Sequence, residues 1–470
     1  MTSFARFLLI SCALVIAACA PGAPNQQTFR ATPVAIDVTA PIYTATATFT
    51  PAPTRTPAPT ETPTIEPSAT LTLSPTPSLT PSPAPTQPLV TLTPPAARDL
   101  PAPAPLIPAP TSRAEGWSCG DFPCEDDIDG FLRRIQVPEG YRVEHAGQFP
   151  GQPMQITYGP DGLLYATVLE NGTRSGAVYV LDADGSARRY SGTLIAPIGL
   201  AFQPDTETLY VSGRVTLEQG GGLWRMPPGG GEPEAVITDL PCCFMAIDNQ
   251  PSGLIFGPDG YLYLGVGALT DHAEAMPGAR GAYVEVGPLE ASVLRIQPHT
   301  GAVEVFASGI RSPYDLTFDS GGRFYATDSG LLTGQGDRLL ALDQGAFYGW
   351  PYWRARGCED CPLSPGNRPQ TPDLLPLPDF VLPRGLVAYT GAMFPANLFD
   401  SLFVALWNGV EGGQQIIRVD PAAVAEGYVP DSFVTGLIRP IDVALAPDGA
   451  LVIADYIYGH VWRVVYERAD

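Results

Sequence analysis

Positive charge is scarce in this 470-residue chain: Lys and Arg number 26 against 48 Asp and Glu, for a formal net charge of −22. That balance excludes nucleic acid as a partner, because phosphate recognition needs clustered cations. It equally excludes electrostatic docking to anionic lipid, and reads instead as a solvated surface that favours solubility. Long hydrophobic runs are missing too. The longest N-terminal one, residues 7–18, is too short to cross a bilayer, and no later segment is longer. Elsewhere the apolar stretches are brief and punctuated by Gly, Pro and Asp, which predicts strands and little helix.

What the N-terminus does have is a short positive start at Arg6, the apolar run, and Ile16-Ala17-Ala18-Cys19. This pattern fits a secretory signal and resembles the bacterial lipobox. The resemblance implies cleavage before Cys19, lipid attachment to its sulfur, and an extracytoplasmic protein anchored to the cell membrane. Residues 19–112 are dominated by Thr, Pro, Ala and Ser. Almost nothing there can form a core, so a disordered, extended linker is expected. At ~3.1 Å per residue in polyproline II it would reach on the order of 280 Å, the dimension of a stalk. The folded domain is expected over residues 113–470.

Setting aside Cys12 in the signal and Cys19 leaves Cys119, Cys124, Cys242, Cys243, Cys358 and Cys361. An even count in an exported protein suggests disulfides, with fifteen pairings formally open. The three close pairs are the simplest set. A zinc site on Cys358 and Cys361 is the rival, and it lacks a second pair or His nearby.

The folded region repeats itself. Six segments open on Pro153, Pro197, Pro251, Pro313, Pro383 and Pro440, each followed by two variable residues and a short apolar strand. Seven residues after each leading proline comes a turn, at Pro160, Pro204, Pro258, Ser320, Thr390 and Pro447. A second apolar element follows in every unit, at residues 177–181, 222–226, 292–296, 338–342, 415–419 and 460–464. Six such copies predict an all-β, six-bladed propeller, since radial packing buries faces that one unit alone cannot. Residues 141–149 have no repeat partner, and are expected to close the ring against residues 461–466. The chain is read as a monomer.

In a propeller the innermost strands start near the mouth of the central channel. The residues around each leading proline therefore form a ring: Gln152, Gln155, Gly199, Asn249, Gln250, Arg311, Ser312, Asp315, Arg384, Arg439 and Asp442. Such a polar ring suits an anionic ligand, a polar organic molecule or a metal. Asp315 and Asp442 have a structural alternative, capping turns or pairing with Arg.

Several motifs in this frame resemble the glucose/sorbosone dehydrogenase family of six-bladed propellers. They are residues 253–263, residues 309–318 with Ala326-Thr327-Asp328-Ser329-Gly330, Phe347-Tyr348-Gly349-Trp350-Pro351, and Tyr389-Thr390-Gly391 with the later Trp407-Asn408. The resemblance spans about residues 130–466. It implies oxidation of an aldose-type sugar with pyrroloquinoline quinone (PQQ) and calcium. A base takes the hydroxyl proton while hydride passes to the quinone. It also implies that Arg311 faces the cofactor, with Ser312 beside it where the family usually has Asn, and Trp407 nearby; Arg384 and Arg439 would stand in for the family's lost cations. Calcium would take the carbonyls of Gly330 and Leu331 and the nearby Asp337. The family's catalytic His falls at Asn249, whose amide takes no proton near neutral pH. Asp248, His272 or a water would then serve as base. The family's basic residues after Trp407-Asn408 are replaced by Gly409-Val410-Glu411. A non-catalytic propeller that binds carbohydrate or another ligand is the alternative reading. A metal-dependent lactonase would need Glu in the ring, and the ring has none.

Overall fold

A computed structural model describes residues 119, 121–170, 174–217, 220–242, 250–269, 286–330, 336–351 and 369–467. The signal and linker residues, Cys19, Cys243, Asp248, Asn249, His272, Leu331, Cys358 and Cys361 lie outside that set.

Each blade begins where the sequence places a proline. The inner strands are Gly151–Tyr158, Leu200–Phe202, Pro251–Phe256, Pro313–Phe318, Pro383–Ala388 and Pro440–Leu445, for blades 1 to 6 in order. Each pairs antiparallel with the strand that follows it. Blades 3, 4 and 5 are four-stranded sheets taken in chain order. Blades 1 and 2 are joined through the two-residue strand Leu194–Ile195, which bonds both Ser175–Leu181 and, by one pair, Leu209–Arg214. The repeat gave no sign of that fusion.

Blade 6 is completed from the other end of the domain. Tyr141–Gln148 pairs with His460–Tyr466, from Tyr141 opposite Tyr466 to Gln148 opposite His460. The ring thus closes where the unpartnered N-terminal strand and the last strand meet. Helix is confined, among the described residues, to Ile128–Arg134 and one 3-10 turn, Ala396–Leu398. Asp127 caps the helix by accepting from the Gly130 amide at 2.8 Å, satisfying an N–H that the helix itself cannot. Its Phe131 packs on His460 and Trp462. The disulfide between Cys119 and Cys124 ties the segment just before it. Cys242 is disulfide-bonded as well.

Two devices lock neighbouring blades. A hydroxyl on the second strand of one blade donates to the inner strand of the next: Thr167 to the Ile198 carbonyl, Ser212 to Ser252 at 2.6 Å, Thr327 to Arg384 at 2.8 Å. The second device follows from the leading proline, which has no N–H to give the ladder. The register slips directly after it in blades 1, 3, 4, 5 and 6. The bulge releases amides that turn to the neighbouring blade. Asp442 takes the Ile156 N–H at 2.6 Å, and Asp315 takes that of Leu386 at 2.7 Å. These aspartates therefore hold the ring together. No ion pair with an Arg is seen for either among the described residues.

The closure carries a titratable pair. His460 Nε2 lies 3.0 Å from the Glu125 carbonyl, which must accept, so His460 Nδ1 is left to accept from His145 Nε2 at 3.2 Å. Burial, then the His145 ring, lowers the His460 pKa to about 4. The unfolded chain, with an ordinary His near 6.5, binds more protons between these values, so stability is lost as pH falls from about 6.5 to 4. His460→Gln keeps a donor and an acceptor without the charge change. Denaturant melts across this window are expected to show a shallower acid decline for His460→Gln than for wild type; equal slopes would assign the decline to carboxylates elsewhere.

Candidate functional site

The channel mouth is built by the loops that precede the leading prolines. In blades 4 and 6 the same device holds them. Asp328, ending the second strand of blade 4, accepts from the amides of Arg311 at 3.3 Å and Ser312 at 2.7 Å. Asp455, in the matching place of blade 6, accepts from Ile438 at 2.8 Å and Arg439 at 3.1 Å. Both carboxylates are buried. Asp328 and Asp455 recur at one register of the repeat, the sequence signal that marks this device.

Arg338 extends this support. It is buried, its Nε donates to Asp328 at 2.8 Å, and its other nitrogens reach Asp373 at 2.8 Å, the Tyr348 carbonyl at 2.7 Å and the Gly309 carbonyl at 3.0 Å. The Trp350 amide also bonds Gly309 O, at 3.1 Å. The Tyr348-Gly349-Trp350 segment is thereby fixed against the loop that carries Arg311.

Four side chains form a row across the mouth. The Arg384 guanidinium lies 4.8 Å over the Tyr314 ring and 5.9 Å from the Trp407 ring. Arg439 lies 5.0 Å over Trp407. Tyr314 is strapped to the opposite blade: its hydroxyl donates to the Met154 carbonyl at 2.7 Å and its own carbonyl accepts from Gln155 at 2.9 Å. It is a fixed platform that no motif of the repeat marks out. Gly409 makes room for Arg439, since a Cβ there would lie 2.7 Å from Arg439 Nη1. The indole Nε1 of Trp407 is buried and has no hydrogen-bond partner among the described residues. The chain contains no lysine, so each cation here is a guanidinium, the group suited to bidentate carboxylate recognition. Burial lowers the pKa of Arg439, and Asp455 opposes that.

Arg384, Arg439 and Trp407 are therefore brought together, from blades 5 and 6. Arg311 and Ser312 are held nearby in sequence and both are buried. The Arg311 side chain is directed to backbone: its Nη1 donates to the carbonyls of Ser329, at 3.4 Å, and Gly330. Asp337 accepts from the Gly330 amide through Oδ1 and the Leu382 amide through Oδ2, both at 2.7 Å. Burial raises its pKa to about 6, against those two amides and Arg384. Of the other ring positions, Gln155, Asp315 and Asp442 sit among the blade-to-blade ties. Gln250 joins them, donating to the Ala196 carbonyl at 2.9 Å and accepting from Arg214.

The calcium donor set fails a simple test among the described residues. Gly330 O already takes a cationic guanidinium, and a second cation there would be repelled. No group of three or more His, Cys, Asp or Glu converges elsewhere among these residues. The row instead gathers two guanidinium groups, the rings of Tyr314 and Trp407, and an indole N–H without a partner among the described residues.

The closed six-bladed ring defines the class, an all-β propeller. Residues 245–462 match the family described as Glucose / Sorbosone dehydrogenase, which supports a protein of that family with a propeller fold. Solved structures share the fold. The PQQ-bound form of aldose sugar dehydrogenase from Streptomyces coelicolor superposes with a TM-score of 0.52 at 20% identity, covering 70% of this chain and 99% of that one. The apo form of the soluble aldose sugar dehydrogenase of Escherichia coli gives 0.53 at 16% identity, over 70% and 100% of the two chains. A curated protein of Borreliella burgdorferi, described as uncharacterized, is 22% identical over 71% of this chain and 91% of its own length.

Proposed function

We propose that this sugar dehydrogenase-like propeller binds PQQ at the channel mouth and oxidises an aldose-type sugar, outside the cytoplasm and tethered by lipid on Cys19. The observation that carries the reading is the convergence of Arg384 and Arg439 on one indole. PQQ is planar and bears carboxylates, so it needs a flat face and cations at its rim. When bound, it supplies the hydride-accepting chemistry. Arg384 and Arg439 hold its carboxylates, Trp407 offers ring face and N–H, and Tyr314 fixes the height of Arg384. Gly409 takes the place of a family cation, and Arg439 fills the space that leaves. The substrate proton goes to Asp248, His272 or a water beside Asn249. Calcium is not part of this reading as far as Gly330 and Asp337 decide it. The lipobox-like Cys19 and the Thr/Pro-rich residues 19–112 support the tether and the stalk.

Titrating the purified domain with PQQ should quench tryptophan fluorescence with micromolar or tighter affinity, and the loaded protein should reduce a dye with one of a panel of sugars. Absence of PQQ binding in that range sinks the reading. Asn249 favours a second one, a propeller that binds a glycan without chemistry. Calorimetry separates the two, since a glycan-binding module takes glycans and ignores PQQ.

A further inference from the structure

Beneath the mouth, Asp315 and Asp442 occupy the same place on the inner strands of blades 4 and 6, two residues after the leading proline, and both are buried. The blade 5 strand between them has Gly385 at that position. A Cβ there would lie 2.1 Å from Asp442 Oδ1 and 2.4 Å from its Cα. The missing side chain leaves the space between the two carboxyl groups open: Asp442 Oδ1 stands at Gly385 while Asp315 Oδ2 accepts from the next amide, Leu386, and both residues line one cavity.

Counting donors at the four oxygens shows what joins them. Asp315 Oδ1 accepts from the Leu316 amide at 2.8 Å and Oδ2 from the Leu386 amide at 2.7 Å. Asp442 Oδ2 accepts from the Ile156 amide at 2.6 Å. The Val443 amide lies beside the Asp442 carboxyl, as Gln155 lies beside that of Asp315, but Asp442 Oδ1 has no partner of full hydrogen-bond geometry among the described residues. Two buried carboxylates in contact with no donor between them would repel strongly. A proton removes the conflict, and the count says where it sits. On Asp315 it would compete with an amide already bonded there; on Asp442 Oδ1 it fills a vacancy.

We infer that Asp442 is a carboxylic acid in the folded protein at neutral pH and donates from Oδ1 to the Asp315 carboxylate. Through this one proton the inner strands of blades 4, 5, 6 and 1 are tied directly below the platform of the candidate site. The groups facing the pair are few. Blade 1 contributes Gln155, whose amide donates to the Tyr314 carbonyl, and blade 4 contributes Tyr314, whose hydroxyl donates to the Met154 carbonyl. Blades 3 and 5 contribute Gly253 and Gly385. Arg384, next to Gly385, is the cation on these strands, and its guanidinium lies over the Tyr314 ring. Burial pushes both carboxyls up, and the neighbouring Asp315 charge pushes Asp442 further.

The sign of the pH effect follows. The folded state holds a proton that the unfolded state releases above the ordinary carboxylate range, so stability falls as pH rises toward the folded pKa. This is opposite to the effect of His460. A cavity of about 390 Å³, walled by Ile156, Leu200, Leu254, Leu316, Leu386 and Val443, reaches the pair. It would admit a metal ion, the rival way to bridge two carboxylates.

Infrared spectra of the folded protein near neutral pH should show the carbonyl stretch of a protonated carboxyl, and Asp442→Asn should lack it. The amide of that variant keeps an acceptor for Ile156 and a donor for Asp315. It should melt no lower than wild type and lose the wild-type decline in Tm as pH rises above the ordinary carboxylate range. Asp315→Asn sets an NH2 group against a backbone donor and should melt lower at every pH. The inference is overturned if the protonated-carboxyl band is missing. A rise in wild-type Tm with calcium or potassium but not in Asp442→Asn would also overturn it, as would equal destabilisation of the two Asn variants.

Discussion

Replacing Arg338 with Met should lower the unfolding free energy by about 3–5 kcal/mol, the range for removing one partner of a buried ion pair. Met roughly fills the space but leaves Asp328 and Asp373 without their cation, and Asp373 Oδ2 already has no partner among the described residues. Burial already pushes the Asp373 pKa up, with Arg338 opposing it. Without the guanidinium Asp373 will titrate higher still, so the loss should be larger at pH 8 than at pH 5. The effect reaches the site because Asp328 also orients the amides of Arg311 and Ser312. Guanidinium chloride melts at both pH values measure it. A loss below about 1 kcal/mol would mean that these carboxylates are neutral or hydrated without Arg338.

Arg384→Met should weaken PQQ binding about 10- to 100-fold, the value of one charge-assisted hydrogen bond lost in a desolvated place. Arg384 is 2% exposed and stacks between Tyr314 and Trp407, so its position costs little to maintain on binding. Arg439 is more exposed, and Arg439→Met should cost less because solvent already screens its charge. Tryptophan quenching by PQQ in the two variants gives both numbers. If Arg384→Met binds PQQ as wild type does, the ligand does not use this row.

The fold was legible because propeller geometry repeats. Pro251, Pro313, Pro383 and Pro440 each open a strand, and the second apolar elements fall within the strands observed. The outer strands were not legible. Leu375–Pro376 is two residues long, and Glu234–Leu240 is half exposed, so neither shows an apolar rhythm. The mouth was legible in part. A proline frame tells which residues stand near the channel, which located Arg384, Arg439 and Trp407. It does not tell whether a side chain rises to the mouth or turns to a neighbouring strand. Arg311 goes to the Gly330 carbonyl, and Asp315 and Asp442 go to amides that a bulge releases. That choice depends on hydrogen bonds between residues distant in sequence, such as Asp442 and Ile156, which are 286 positions apart.

The strand that completes blade 6 sets the timetable of synthesis. His145 must wait for His460, 315 residues later, before either has its neighbour. Until then Tyr141–Gln148 leaves the ribosome as a lone strand, and five blades can stack without forming a ring. Contacts so far apart make for slow final docking, and an unclosed stack presents bare sheet edges to other chains. A nascent chain held in this open form is also still threadable. Ring closure thus waits for His460–Tyr466, the last strand among the described residues to be synthesised.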